Sequence, residues 1–290
     1  MDNMTAKMSC FARAYHNNSP GSHVFDDPAA KRILGDEYRQ IADSLKQGVS
    51  FFLPDFKGDP EDGLQLVVER QLAPSVLGRS AFCERALENE TRLGCEQVVL
   101  FAAGYDSFSI LHSDRKVFEL DLPQVLADKK QRVEQAGLTS AAVYVPCDLS
   151  SGDWREALVR AGFEPGRKTF SSLLGISYYL EKPAFAKLLK DIRSMTAEGS
   201  AICFDYPSAD ESRETKTNQV LAAGAGEAMK AVWPFGELER VLQDAGFLIY
   251  EHLNETEMTE QFFASYNRAN PMHTMTAPKG VGYITAVNKS

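Results

Sequence analysis

The 290-residue sequence is poor in the features that would assign a class at a glance. Its five cysteines, Cys10, Cys83, Cys95, Cys147 and Cys203, are odd in number and scattered, with no Cys-x-x-Cys pair and no nearby histidine spacing. That argues against a disulfide framework and against a structural metal site. It leaves reduced thiols, packed as small hydrophobes, in a cytoplasmic protein. No apolar run reaches the about 18 residues that a bilayer span requires. The opening MDNMTAKMSC carries no charged-then-apolar leader pattern. Basic residues are also in deficit, 31 Lys and Arg against 40 Asp and Glu, for a net charge of -9. Such a balance lacks the electrostatic footprint of a nucleic-acid or anionic-membrane partner. There is no internal repeat and no low-complexity segment.

What is present is an ordinary apolar fraction, 44%, enough for a sizeable core. Residues 1–94 read as a helical cap. Within it, 28–53 carries Ile33, Leu34, Tyr38 and Ile41 at helical spacing. Gly58, Asp59, Pro60 and Gly63 mark a break, and helices follow over 64–72 and 76–91. From Cys95 onward, short apolar runs alternate with helical stretches. The runs predict strands at 97–102, 116–121, 142–146, 169–174, 200–205, 247–252 and 282–287, the kind of strand that is covered on both faces. Gly199 and Gly246 each end a helix just before a strand. The expectation is an α/β fold. A doubly wound, mostly parallel seven-stranded sheet would occupy 95–290, with a substrate-side insertion near 206–236.

In such sheets ligands bind beyond the carboxyl ends of the strands, so the strand ends deserve the closest reading. After the first strand comes FAAGYDS, where Ala102, Ala103 and Gly104 allow a tight turn and a close backbone approach. It lacks the further glycines of a Gly-x-Gly-x-x-Gly fingerprint, which argues against a nicotinamide dinucleotide site. After the second comes FELDLP. Asp121 there reads equally as an acceptor for two ribose hydroxyls or as an ordinary helix cap. After the third comes PCDLSS, where Asp148 reads as an adenine contact or a loop aspartate. In order, the three ends supply an approach loop, a ribose carboxylate and an adenine carboxylate, the layout that holds an adenosine along a sheet edge.

These segments together resemble the leucine carboxyl methyltransferase family. The matching stretches are ARAYH at 12–16, FDDPAA at 25–30, GRS at 78–80, EQVVLFAAGYDS at 96–107, VFELDLPQVLADK at 117–129, YVPCDL at 144–149 with Trp154 beyond, and Gly175 through YYL at 178–180. The resemblance implies a Rossmann-like methyltransferase that binds S-adenosyl-L-methionine and methylates an oxygen of a small molecule, a carboxylate or a phenol. The family also admits a protein carboxyl terminus as acceptor. It implies that Arg79 grips the methionine carboxylate of the cofactor, a task suited to a guanidinium fork. Arg13 helps close the site. Ala103 and Gly104 sit beside the methionine part, Asp121 and Leu122 at the ribose, Asp148 and Leu149 at the adenine. Two positions depart from the family pattern. Leu174 replaces a glutamate that faces the methionine part, and Phe108 stands where bacterial members often have an arginine. The glutamate's loss leaves open a cofactor-binding homologue without turnover.

Methyl transfer from a sulfonium is an in-line displacement, so the protein's main tasks are alignment and exclusion of water. A carboxylate acceptor is already ionised at neutral pH, whereas a phenol would gain from a base. Of the five histidines, His16 in ARAYHNN is the candidate base, with packing as the competing reading. Tyr15, His16, Tyr178, Tyr206 and Trp233 are candidate acceptor contacts.

Overall fold

The computed structural model describes residues 3–208 and 229–289. Most of the expected insertion near 206–236 therefore lies outside the described residues. Seven strands form one sheet: β1 (Gln97–Phe101), β2 (Val117–Asp121), β3 (Ala142–Pro146), β4 (Thr169–Ser172), β5 (Ala201–Pro207), β6 (Phe247–Leu253) and β7 (Val281–Asn288). Their order is β3-β2-β1-β4-β5-β7-β6. β1 to β5 run parallel, while β7 inserts antiparallel between β5 and β6. The chain winds outward from β1 to β3, returns to β4 on the other side of β1, and so places the switch point between β1 and β4.

The sheet's two faces belong to two cores, and the pleat sorts residues between them. On β1, Val98 and Leu100 enter one core, Val99 and Phe101 the other. The first core includes the amino-terminal helices α1 (Met4–Asn18), α2 (Ala30–Leu34), α3 (Glu37–Gln47), α4 (Val49–Phe52), α5 (Pro60–Val67) and α6 (Ala73–Arg92). The second is closed by α9 (Trp154–Arg160), α10 (Lys182–Met195) and α11 (Phe235–Asp244), after α7 (Phe108–Leu111) and α8 (Pro123–Gln135) in chain order.

The helical spacing of 28–53 is divided among three helices, and the break expected after it needs correction. Gly35, at φ +56, ends α2, and Gly48 separates α3 from α4. Gly63 belongs to a helix and not to a break. The Asp59 side chain caps α5 at the Glu61 amide, Pro60 fits its first turn, and a Cβ at Gly63 would stand 2.9 Å from the Val49 side chain. A glycine packed that closely against a neighbour resembles a break in sequence alone. Among the described residues, no helix is long and apolar enough to cross a membrane.

β2 and α8 hold a buried ion pair that organises the strand end above it. Lys129 Nζ donates to Glu119 Oε2 at 2.6 Å, and both side chains are fully buried. Ser109 Oγ donates to the other carboxylate oxygen at 2.6 Å. Burial pushes the Glu119 carboxyl up from its ordinary range, and Lys129 and Ser109 oppose that shift. Glu119 is thus committed to the fold. Asp121, two residues on, is the carboxylate left for the strand's exit.

Candidate active site

The carboxyl ends of β1, β2 and β4 and the amino end of α1 enclose a cavity of about 530 Å³. That is within the range of cofactor and ligand sites, roughly 300–1,000 Å³. Arg13, Arg79, Ala103, Gly104, Asp121, Leu149 and Leu174 all line it. Leu122 and Asp148 are not part of this lining.

The turn after β1 is held in a conformation that side chains resist. Ala102 has φ +52 and Gly104 φ +48. A left-handed alanine costs about 1–2 kcal/mol, so the surroundings must enforce it. The Ala103 amide donates to the Leu120 carbonyl at 3.0 Å, and the Gly104 amide donates to Asp121 Oδ2 at 2.7 Å. Asp121 Oδ1 accepts the Leu122 amide at 2.7 Å. One carboxylate thereby joins the exits of two adjacent strands. Burial raises the Asp121 pKa above the ordinary aspartate range, opposed by the two amide hydrogen bonds. Each carboxylate oxygen has a further lone pair for a hydroxyl donor from the cavity. A Cβ on Gly104 would approach Ala6 Cβ to 3.0 Å, so glycine here lets α1 settle onto the turn.

Arg13 fixes α1 from behind. Its Nε donates to Asp27 Oδ2 at 2.8 Å and its Nη2 to the Tyr105 carbonyl at 2.7 Å. Asp27 is buried and also accepts from Ser107 Oγ and from the Ala29 and Ala30 amides. Arg13 thus couples the first helix to the loop that follows β1, while its side chain borders the cavity.

Arg79 enters from α6 on the far side. Its Nη2 donates to Ser9 Oγ at 3.3 Å, and its Nη1 lies 3.6 Å from Asp205 Oδ2. A Cβ on Gly175 would sit 2.8 Å from Nη1, so the guanidinium rests against a backbone that only glycine leaves open. Leu174 lines the cavity just before it with an apolar side chain. After β3, the Cys147 amide is tied to the Asp121 carbonyl at 2.9 Å, which brings Leu149 into the lining. Asp148 is exposed, and its Oδ1 accepts from the Ser150 amide and hydroxyl.

A second chamber of about 220 Å³ adjoins the first and shares Thr5, Ser9, Arg79, Gly175 and Tyr179 with it. Met8, Leu72, Val76, Met229 and Val281 give it apolar walls, with Tyr178 and Lys279 among its polar residues. Tyr178 O–H donates to Asp205 Oδ2 at 3.0 Å. Tyr178 borders this chamber, and Tyr179 borders both. Both neighbours reach a chamber because the chain turns here after β4 and does not continue as strand.

The other aromatic candidates lie elsewhere. Trp233 is fully buried, 5.7 Å from the Phe185 ring in the second core. Tyr206 is buried and its hydroxyl pairs with His252 Nε2 at 3.0 Å. Tyr15 packs on Phe11 at 5.9 Å against the first core. His16 is buried, and its Nε2 accepts the Val24 amide at 2.9 Å. Burial pushes its pKa down to about 4. These four borders were expected because aromatics and histidine suit a cleft, but here they fill the spaces between elements. Asp205, Ser9 and Thr5 are residues at the site that the sequence reading passed over. Asp205 ends a predicted strand, the signal that had drawn attention to Asp121.

The chain is similar to known methyltransferases. The family model described as leucine carboxyl methyltransferase matches residues 6–193. A Bacillus subtilis (strain 168) protein, YktD, named as an S-adenosyl-L-methionine-dependent methyltransferase, is 36% identical over 305 aligned positions, covering 99% of this chain and 98% of its own. A Mycobacteroides abscessus protein named for the same activity is 29% identical across 97% of this chain and 88% of its own. Among solved structures, a Streptomyces avermitilis protein of the duf574 family superposes with a TM-score of 0.60 at 13% identity, over 98% of this chain and 96% of its own. A Thermobifida fusca protein described as a methyltransferase gives 0.57 at 14% identity, over 98% of this chain and 94% of its own. The two superpositions speak for the fold.

Proposed function

The chain belongs to the leucine carboxyl methyltransferase family and is an S-adenosylmethionine-dependent methyltransferase, and on that basis we propose that it methylates a carboxylate oxygen of a small acceptor. The main cavity fits the cofactor by the chemistry of its donors. Asp121 is placed to accept ribose hydroxyls, Arg79 to bind the amino-acid carboxylate, and Ala103 and Gly104 to let the tail pass close to backbone. Leu149 is the apolar contact for the base. Arg13 and Asp27 hold α1 across the opening.

When bound, the cofactor supplies a methyl carbon activated by a sulfonium, with a neutral thioether as leaving group. An acceptor oxygen aligned with that methyl would supply the electron pair of the new C–O bond, and the C–S pair would stay on the departing thioether. The chain's own task is to align that oxygen with the methyl and keep water away.

The observation that carries the choice of acceptor is the lining of the two chambers. Among the described residues it contains four cations, Arg13, Arg79, Lys230 and Lys279, against the carboxylates of Asp106 and Asp121, and no histidine. His16, the one base candidate, is neutral, buried and occupied by the Val24 amide. The Tyr178 phenol is held by Asp205 and pushed well above its ordinary pKa, first by burial. An acceptor that arrives already ionised needs no base and is drawn to cations. A carboxylate meets that condition at neutral pH, and a phenol, with a pKa of about 10, does not. The apolar walls of the second chamber suit a carboxylate carried on a hydrophobic body. The net charge of -9 disfavours nucleic acid and anionic membrane as targets. Five free thiols suit a reducing, cytoplasmic setting.

Incubation with tritiated methyl donor and a panel of hydrophobic carboxylic acids, phenols and peptides with free carboxyl termini tests this. Label on the small acids that mild base releases as methanol is expected. Base-stable label on phenols, or label on peptides alone, would contradict it.

A further inference from the structure

Asp205 is the centre of a network that ties the turn after β4 to Arg79. Its side chain is fully buried on β5. Oδ1 accepts the Gly175 amide at 2.7 Å, and Oδ2 accepts the Tyr178 hydroxyl at 3.0 Å with Arg79 Nη1 at 3.6 Å. Its backbone carbonyl accepts Ser177 Oγ at 2.6 Å. One residue therefore fixes the turn after β4 and faces the guanidinium that comes from α6. All of this occurs at the joint of the two chambers, since Arg79 and Gly175 line both.

A buried carboxylate is costly, and a packed apolar side chain would often serve stability as well. Fixing the turn alone does not need the charge, because an asparagine would keep an oxygen for the Gly175 amide and present its NH2 to the Tyr178 hydroxyl oxygen, which can accept. What does need it is the cation. Arg79 leaves α6 with a long, flexible stem, and its guanidinium meets Ser9 on one side and Asp205 on the other. Leu174, the residue before Gly175, brings no charge to this corner. The carboxylate that faces the guanidinium comes instead from β5.

We propose that Asp205 is a positioning residue, whose buried carboxylate sets the aim of the Arg79 guanidinium at the joint between the cofactor cavity and the acceptor chamber. This rests on the reading of Arg79 as the cofactor's carboxylate ligand. Asp205 touches neither reacting group. It acts by keeping Arg79 in the one arrangement that serves both chambers, so its loss should appear in donor affinity before it appears in the rate at saturation.

The experiment is a double-mutant cycle on the full chain, read by calorimetric binding of S-adenosylhomocysteine. Asp205→Asn keeps an oxygen for Gly175, puts an NH2 in place of the oxygen that faces Tyr178 and Arg79, and so removes the charge while leaving the turn's amide contact. It is expected to weaken binding about five- to tenfold, the scale of a lost charge-assisted contact with part of the shell intact. In an Arg79→Ala background the same change should weaken binding less than twofold. With S-adenosylmethionine, KM should rise by the factor seen in binding while kcat changes less than twofold. Normal affinity in Asp205→Asn, or an equal loss in both backgrounds, would overturn the proposal and leave a carboxylate that serves the fold alone. Normal affinity in Arg79→Ala would instead overturn the reading of Arg79, and with it the proposal. Should Asp205→Asn not fold, Asp205→Glu, which keeps the charge and displaces it, is expected to lower affinity measurably. Wild-type affinity in that variant would count against positioning.

Discussion

The two chambers share a wall of five residues, Arg79 among them, and differ in how the rest is built. The larger is built from main-chain turns at the ends of parallel strands, with Asp121 joining β1 and β2 through the Gly104 amide. The smaller is built from side chains that converge from α1, α6, the turn after β4 and the approach to β7. The first is part of the sheet's own construction, and any chain with this winding carries some version of it. The second is an assembly of distant pieces, each free to vary in size without disturbing the strands. A common methyl donor and a private acceptor fit that division.

The comparison breaks most severely if the platform under the larger chamber is removed. Lys129→Ala leaves the Glu119 carboxylate buried without its cation, and a loss of about 3–5 kcal/mol in unfolding free energy is expected. Denaturant melts of the apo protein check this, and an unchanged midpoint would deny that the pair supports β2. Next is Arg79→Ala, which should cost about 2–3 kcal/mol of cofactor affinity by removing a charged, multiply bonding group. Because Arg79 belongs to both chambers, acceptor KM should rise as well. A change in donor affinity alone would mean that the chambers are less connected than their shared lining suggests.

Asp121→Ala should weaken the cofactor by about 1–2 kcal/mol and leave acceptor KM alone. The Asp121 carboxyl is raised above its ordinary range by burial, which fixes the sign of a pH effect. The ionised form accepts hydroxyl donors, so affinity is full at neutral pH and falls on acidification. The fall begins at a higher pH than an exposed aspartate would give. Titration calorimetry across that range, with Asp121→Asn as control, checks it. The smallest effect is reserved for His16→Gln, where about 1 kcal/mol of stability is at risk through the Val24 amide and kcat should stay within twofold. With its pKa pushed down to about 4, His16 cannot produce a rate inflection near neutrality. A drop of several hundredfold in that variant would restore it as a base.

What the sequence made legible follows the same line. Strand ends are local: AAG after β1 and ELD in β2 can be read within a few residues, and Gly104 and Asp121 do meet in one cavity with Arg79. The acceptor side was read less well because its chemistry depends on packing between remote segments. Tyr206 and Trp233 have the right residue types, but Tyr206 faces His252 and Trp233 fills the space beside Phe185. Nothing in a short window distinguishes a core aromatic from a cleft aromatic. Asp205 was legible in principle, as the acidic end of the fifth strand. Its significance appears only when Arg79, from a helix more than a hundred positions earlier, is seen beside it. Gly175 likewise gains meaning from the guanidinium that occupies its missing side chain's place.

The most direct test is a crystal structure with S-adenosylhomocysteine bound. The account predicts ribose hydroxyls on Asp121, the amino-acid carboxylate on Arg79, and the sulfur directed toward the chamber bordered by Tyr178 and Val281. A ligand seated elsewhere, or one whose sulfur points away from that chamber, would contradict it.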